Sequence, residues 1–374
     1  MEIMLNDGIK NHLTKLIENQ KPDFSLAIIC GSSSYPKELM EQILSNKKIG
    51  ELRFYSGFSP NPKINEIYNA LEQLWPFGAD LIIGVGGGSV LDIAKILRLF
   101  VNHPCNFYEL ENYFKGDLTL KENNSVPLCL LPTTAGSGAE MTTFSVVYIE
   151  NEKYSFAHEK LLPDFIIADP ILIYDAPNSV LAASAMDALS QGIESFWSRN
   201  SNMDTKVVSL QAIKLLWENI SDAVLNRNQK AIEKIIEGSN LSGKAINQTK
   251  TTGNHALSYK ITTEYEISHG HCVGMLLPEF FNLHGNLLLE GNTQAAQAVA
   301  LQNEIATHLN FHDFQAFSDE YFELLKALKL KNFSQLSLTH NFDKHKIVNS
   351  VNTQRLKNHP VDLSQEHLLS IFEI

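Results

Sequence analysis

Apolar and polar positions follow two different rhythms along this chain. In the first half, short continuous apolar runs at 25–30, 80–85 and 128–131 are too short for helices and read as strands buried on both faces. A further short strand is expected at 53–56, and Pro127 is tolerable because it stands at the entry to its strand. Between the strands, helical spacing recurs around 38–44, in Ile64, Ile67, Leu71 and Leu74, and over 90–99. Strands that alternate with helices, and are apolar throughout, predict a parallel sheet covered on both faces. Beyond about Pro177 only the 3.6-residue rhythm remains, over 180–198, 205–225, 229–247 and 294–309, with Asn178 or Ser179 as a cap. The expected fold is an α/β domain over 1–177 followed by an all-helical domain over 178–374.

Composition narrows the partners. A chain of 374 residues with 44% hydrophobic and 19% charged residues has the balance of a folded protein with two cores. Its net charge of −12 argues against a nucleic-acid partner, which needs a basic surface. The apolar runs are far too short to span a bilayer, and the opening residues lack the basic region and cleavage site of a signal peptide. Four scattered cysteines (Cys30, Cys105, Cys129, Cys272) form no CxxC pair, which suits a reducing, cytoplasmic setting.

Three motifs carry chemistry. Gly84-Val85-Gly86-Gly87-Gly88-Ser89 runs from a buried strand straight into a helix that contains Asp92 and Lys95. Glycines let the backbone approach a pyrophosphate, and the helix N-terminus supplies N–H groups and positive dipole, so a phosphate-binding turn in a Rossmann-like domain is expected, although the spacing is not the usual dinucleotide fingerprint. Pro132-Thr133-Thr134-Ala135-Gly136-Ser137-Gly138-Ala139-Glu140 follows the next strand, with small hydroxyl residues able to donate to a flat ring or ribose. Asp187, His255 and His269 together offer one carboxylate and two imidazoles, a ligand set for Zn2+ or Fe2+ with one position open.

In this order these motifs, with the Met186–Gln191 helix and histidines fourteen residues apart, resemble the iron-containing alcohol dehydrogenase family. The resemblance runs from Asn61-Pro62 to Asn358-His359-Pro360 and implies NAD(P)-linked hydride transfer assisted by a divalent metal. It implies that Gly86, Gly87, Gly88, Ser89 and Asp92 hold the pyrophosphate region, and that Thr133, Thr134 and Ser137 meet the nicotinamide half. It further implies that Asp187, His255 and His269 bind metal, and that the protein is a homodimer. Two positions depart from the family: Gln191 stands where a fourth histidine ligand is common, and Tyr259 where a histidine often lies near substrate. Gln191 can offer its amide oxygen as a weaker ligand.

His271 and Tyr259 are the candidate proton donors to the substrate oxygen. The family's NAD-specific members carry an Asp after an early strand. Here Gly31-Ser32-Ser33-Ser34 follows, with no carboxylate to repel a 2′-phosphate, which favours NADP(H) or dual use with NAD(H). Residues 243–259 are similar to the phosphonoacetaldehyde reductase branch. Lys244, Asn247 and Lys250, with Lys260, are candidates to hold a phosphonate on a small aldehyde or alcohol substrate. The alternatives are a dehydroquinate synthase-like lyase with the same cofactors and an inactive nucleotide-binding homologue.

Overall fold

A computed structural model describes residues 1–5, 8–31, 35–45, 48–59, 61–120, 125–150, 152–337, 341–351 and 353–373, the side chains of 353 and 354 excepted. Its contacts divide the chain into two units, Met1–Thr134 with Ala139–Ala176, and Ala135–Gly138 with Pro177–Ile374.

The first unit runs β1 (Glu2–Leu5), α1 (Ile9–Glu18), β2 (Phe24–Cys30), α2 (Lys37–Leu44), β3 (Ile49–Tyr55), α3 (Ile64–Phe77), β4 (Leu81–Gly86), α4 (Gly88–Phe100), α5 (Phe107–Lys115), β5 (Leu128–Pro132), β6 (Phe144–Ile149), β7 (Glu152–Ala157) and β8 (Phe165–Ala168). Six strands form one parallel sheet in the order β1-β8-β5-β4-β2-β3. Alternate residues of a strand face opposite ways. Ala27, Ile29, Ile82, Leu128 and Leu130 therefore join one core with Leu71, Leu97 and Phe100, while Leu26, Ile28, Ile83, Cys129 and Leu131 join the other with Leu13, Ile17 and Met40. Burial on both faces is what makes these strands continuous apolar runs.

Strand β3 begins earlier than its composition suggests, at Ile49, because it pairs along β2 from Phe24↔Ile49 onward. The β6–β7 hairpin was not expected. It shows alternate burial on β6 only, and its turn passes through Glu150 at φ 50°.

The chain leaves β2 toward one edge, to β3, and leaves β4 toward the other, to β5. Adjacent strands whose connections part in this way open a crevice at their carboxyl ends, the usual ligand position in such sheets. Gly31 and the 86–89 turn stand there, joined by Gly31 N–H donating to Val85 O (3.2 Å).

The second unit is helical: α6 (Asn178–Trp197), α7 (Met203–Leu225), α8 (Gln229–Thr249), α9 (Gly253–Tyr265), α10 (His269–Leu289), α11 (Thr293–His308), α12 (Phe314–Ala327), α13 (Phe333–Ser337), α14 (Lys344–Asn349), α15 (Thr353–Leu356) and α16 (Gln365–Ser370). Helix α6 is its axis. From Leu181 to Trp197 every residue but Ser184 is buried, against α7, α8 and α10. Among the described residues, no helix is long and apolar enough to cross a membrane.

Candidate metal centre and nucleotide loop

A helix buried this completely has to satisfy each polar side chain it carries. Ser190 Oγ donates back to Met186 O (2.8 Å), and Ser195 shares a hydrogen bond with Thr249 (2.8 Å). Asp187, Gln191 and Glu194 remain, four and then three residues apart, so they line one stripe of α6. Their partners come from the first turns of α9 and α10. Helix α10 can start against α6 only because residue 270 is glycine: a Cβ there would lie 2.0 Å from Ala183 O. That approach brings His269 to Asp187.

Asp187 Oδ1 lies 3.2 Å from His255 Nε2 and 3.9 Å from His269 Nε2, and one ligand atom from each residue falls within 4.8 Å of the others. The other His255 nitrogen, Nδ1, is hydrogen-bonded to Glu194 Oε2. Glu194 Oε1 accepts from Thr252 N (2.9 Å), Thr252 Oγ1 (2.6 Å) and His255 N (3.3 Å). Burial alone would push Glu194 up, but the His255 charge and these donors outweigh it and hold the carboxylate below its ordinary range. Burial likewise works against the His255 imidazolium, yet Glu194 and Asp187 together hold it up at about 10.

Gln191 is buried, and its amide oxygen meets no hydrogen-bond donor among the described residues. An orphaned oxygen one helical turn from Asp187 fits a ligand position. A carboxylate, two imidazoles and an amide oxygen are donors that suit Fe2+ or Zn2+. Of the three side chains His269 is the one open to solvent, at 36% exposed against 7% for Asp187 and 3% for His255. Sequence reasoning passed over Glu194, although its spacing from Asp187 on one helix face was visible.

The start of α9 is also held from its far side. Gly253 N–H donates to His359 Nδ1 (3.4 Å), His359 Nε2 meets His284 Nε2 (2.9 Å), and the Gln302 amide closes the chain at His284 Nδ1 (2.9 Å). Trp197 packs edge-on against both rings.

The remaining candidates are placed as follows. Two residues along a helix is a turn of about 200°, and His271 Nε2 meets Lys331 O (2.8 Å). Tyr259 does join the site, with its ring stacked on His269 at 5.6 Å and 19°. Lys260 pairs with Glu264 (3.1 Å), so its charge is already answered. Lys244 is exposed, while Asn247 and Lys250 are half-buried at the end of α8, where Lys250 Nζ donates to Asn247 O (3.1 Å).

In the first unit, Gly87 caps α4 with extended backbone and no side chain in the way. At Gly86 a Cβ would strike Val90 Cβ at 2.6 Å, so glycine lets the strand turn tightly into the helix. Helix N-termini of this kind bind phosphate. Asp92 engages the protein with both carboxylate oxygens. Its Oδ1 accepts from Lys95 Nζ (3.2 Å) and its Oδ2 from Val146 N (2.9 Å), while Lys95 also donates to Ala139 O (2.9 Å) and Thr142 Oγ1 (3.0 Å). The pair fastens the 139–146 segment to α4. Thr133 N donates to Gly86 O (3.0 Å), and Thr134 lies next to Gly87. Ser137 is half-buried in a segment held to α8 by Ser239 Oγ donating to Gly136 O (3.3 Å). Ser32 lies outside the described residues.

Known proteins align with this arrangement. The family model for iron-containing alcohol dehydrogenases matches residues 1–170, and that for the C-terminal part of Fe-containing alcohol dehydrogenases matches 181–374. Long-chain-alcohol dehydrogenase 1 of Geobacillus thermodenitrificans is 34% identical over 225 residues, 60% of this chain and 56% of that protein. The chain spans less than two thirds of the length of the first curated relatives it matches. Sulfoacetaldehyde reductase from Bifidobacterium kashiwanohense, solved with NAD+, superposes with a TM-score of 0.85 at 24% identity, covering 100% of this chain and 96% of that one. The iron-containing alcohol dehydrogenase from Thermococcus thioreducens gives 0.84 at 21% identity, covering 100% and 97%. At such identities the structural likeness shows the fold.

Proposed function

Because the chain belongs to the iron-containing alcohol dehydrogenase family, we propose that it is a metal-dependent, NAD(P)H-linked alcohol dehydrogenase or aldehyde reductase. The observation that carries this reading is the Asp187–His255–His269 cluster beside the orphaned Gln191 oxygen.

Asp187, His255 and His269 would hold Fe2+ or Zn2+, with Gln191 as a weaker ligand. When bound, the metal supplies a Lewis acid for the substrate oxygen and the nicotinamide supplies or accepts the hydride. Glu194 holds the Nδ1 side of His255, which fixes the ring and aims Nε2 at the cluster. Tyr259, stacked on the exposed ligand, is the group that hands a proton to the substrate oxygen on reduction and takes it back on oxidation. Gly86–Ser89 and the start of α4 carry the pyrophosphate, and Thr133, Thr134 and Ser137 the nicotinamide half. Gly31 and the serines after it favour NADP(H) over NAD(H). The substrate is a small aldehyde with a phosphonate as the finer reading, and the setting a cytoplasmic homodimer. A neighbour whose name specifies sulfoacetaldehyde, another charged two-carbon aldehyde, is in keeping with that.

The test is to load the protein with Fe2+ or Zn2+ and follow NADPH or NADH absorbance with phosphonoacetaldehyde, butyraldehyde and dihydroxyacetone. Metal-dependent oxidation of the cofactor is expected. No oxidation with any carbonyl, with metal and cofactor both bound, overturns the reading. Product formation without net cofactor change points to a lyase.

A further inference from the structure

Helix α9 carries His255 in its first turn and begins without a side-chain cap of its own. A buried helix start leaves N–H groups that need acceptors, normally supplied by the residue before the helix. That residue is Thr252, and its hydroxyl is turned away to donate to Glu194 (2.6 Å). Two groups from elsewhere in the chain take over. Glu194 Oε1 accepts from His255 N (3.3 Å), and His359 Nδ1 accepts from Gly253 N (3.4 Å). Glycine at 253 makes the second contact possible, because a Cβ there would stand 2.9 Å from Phe280 Cε1 and 3.2 Å from His359 Nδ1. The neighbouring Asn358 secures the stretch just before α9. Its Nδ2 donates to Thr249 O (2.7 Å) and Thr251 O (3.1 Å), and its Oδ1 accepts from Ser198 Oγ (2.8 Å) at the end of α6.

The protons along the buried chain behind Gly253 have one consistent order. A backbone N–H can only donate, so His359 Nδ1 must be bare. Both rings are neutral, since burial drives His284 down to about 3 and His359 well below 6.5. A neutral His359 with a bare Nδ1 carries its proton on Nε2 and donates it to His284 Nε2 (2.9 Å). His284 then carries its own proton on Nδ1 and donates it to the Gln302 amide (2.9 Å), which has to present oxygen. The amide nitrogen stands at that position in the structure, but the two ends of an amide share one shape and the proton order decides for oxygen. With nitrogen there, every proton would shift along by one, and His359 Nδ1–H would confront Gly253 N–H, donor against donor.

We propose that His359 is a positioning residue for the metal centre. As a neutral acceptor, its proton placed by Gln302 through His284, it fixes the first turn of α9 and with it the approach of His255 to Asp187 and His269. The inference rests on the metal-centre reading and on no particular substrate.

The experiment measures Zn2+ affinity of the full chain by chelator competition, with the melting temperature of the metal-free protein, for wild type, His359→Asn, His359→Leu and Gln302→Met. The amide oxygen of Asn can stand where Nδ1 stands, whereas Leu fills space without an acceptor. Both substitutions break the link to His284 and should lower the melting temperature. His359→Asn should bind Zn2+ within about twofold of wild type and His359→Leu about tenfold more weakly, the size of one buried donor left unanswered. Gln302→Met, two rings removed from α9, should weaken binding in the same direction. Nitrogen NMR of the histidines in the metal-free wild type should find the proton on Nε2 of His359 and on Nδ1 of His284. If His359→Leu does not fold, Gln302→Met and the spectra decide. Equal Zn2+ affinity in His359→Asn and His359→Leu, or a proton on Nδ1 of His359, overturns the inference and leaves the metal centre standing. A wild type that takes up neither Zn2+ nor Fe2+ overturns the metal-centre reading, and the positioning role falls with it.

Discussion

Burial does not fix the ionisation of a histidine; its neighbours do. His255 and His284 are both buried in the helical unit. His255 faces two carboxylates and stays protonated up to about 10, whereas His284 meets neutral His359 and Gln302, and desolvation pushes it down to about 3. Desolvation also drives His359 well below the ordinary 6.5. These shifts set opposite pH windows in the metal-free protein. A raised folded value stabilises, so the His255 contribution is complete below 6.5 and fades as pH climbs toward 10. A depressed folded value gives stability present above 6.5, and for His284 it is lost as pH falls from 6.5 toward 3. The expected outcome is a melting temperature that drops on both sides of neutrality. In His284→Asn the acid limb should be flatter between pH 6.5 and 4, and an unchanged slope would show that the buried pair is not responsible.

Residue-scale chemistry was legible in the sequence only in part. The ligand types stood out only in combination with the glycine-rich turn, and Gln191 only through the family resemblance. Glu194 and the His284–His359 pair were missed, since each acquires meaning from a partner far along the chain. The Lys331 carbonyl that meets His271 is sixty residues away and equally invisible in the sequence.

Elements were easier to read where both faces are covered. Strands β2, β4 and β5 are apolar at nearly every position and were found from pattern alone. Four-residue β1 and β8 carry too little signal, and β6–β7 mixes polar and apolar positions. The long helices α6, α7, α8 and α11 were legible from their rhythm, while the five- and six-residue helices near the end were not. One helix allows a sharp test of packing against propensity. In α10, Gly270 lies against Ala183 O, whereas at Gly285 no atom of the described residues comes within 4 Å of where a Cβ would stand. Gly270→Ala should destabilise by about 1–3 kcal/mol through overpacking and weaken metal binding by displacing His269. Gly285→Ala should stabilise by about 0.8–1 kcal/mol through helix propensity alone. Urea unfolding and metal titration of both variants check this. Equal effects at the two sites would refute the close α6–α10 approach as the reason for glycine at 270.

At the scale of the molecule, the three candidate metal ligands all lie in the helical unit and the glycine-rich turn lies in the sheet unit. Metal should therefore protect the helical unit first. At a hundredfold excess over Kd, binding adds about 2.7 kcal/mol to every opening that releases the ion, which slows exchange about a hundredfold. Hydrogen exchange with and without Zn2+ should place that protection in α6 and the first turns of α9 and α10. Protection centred on β4 and α4 would mean the ion binds elsewhere.

Asp187 and Glu194 leave the ribosome long before the histidine that answers them, for His255 lies 68 and 61 residues further along. A growing chain therefore carries two acidic groups on an apolar helix with no counter-charge. The helical unit should stay open until α9 has been made. A stalled nascent chain ending before residue 252 should be cut readily by protease within α6, and one ending after residue 289 should resist.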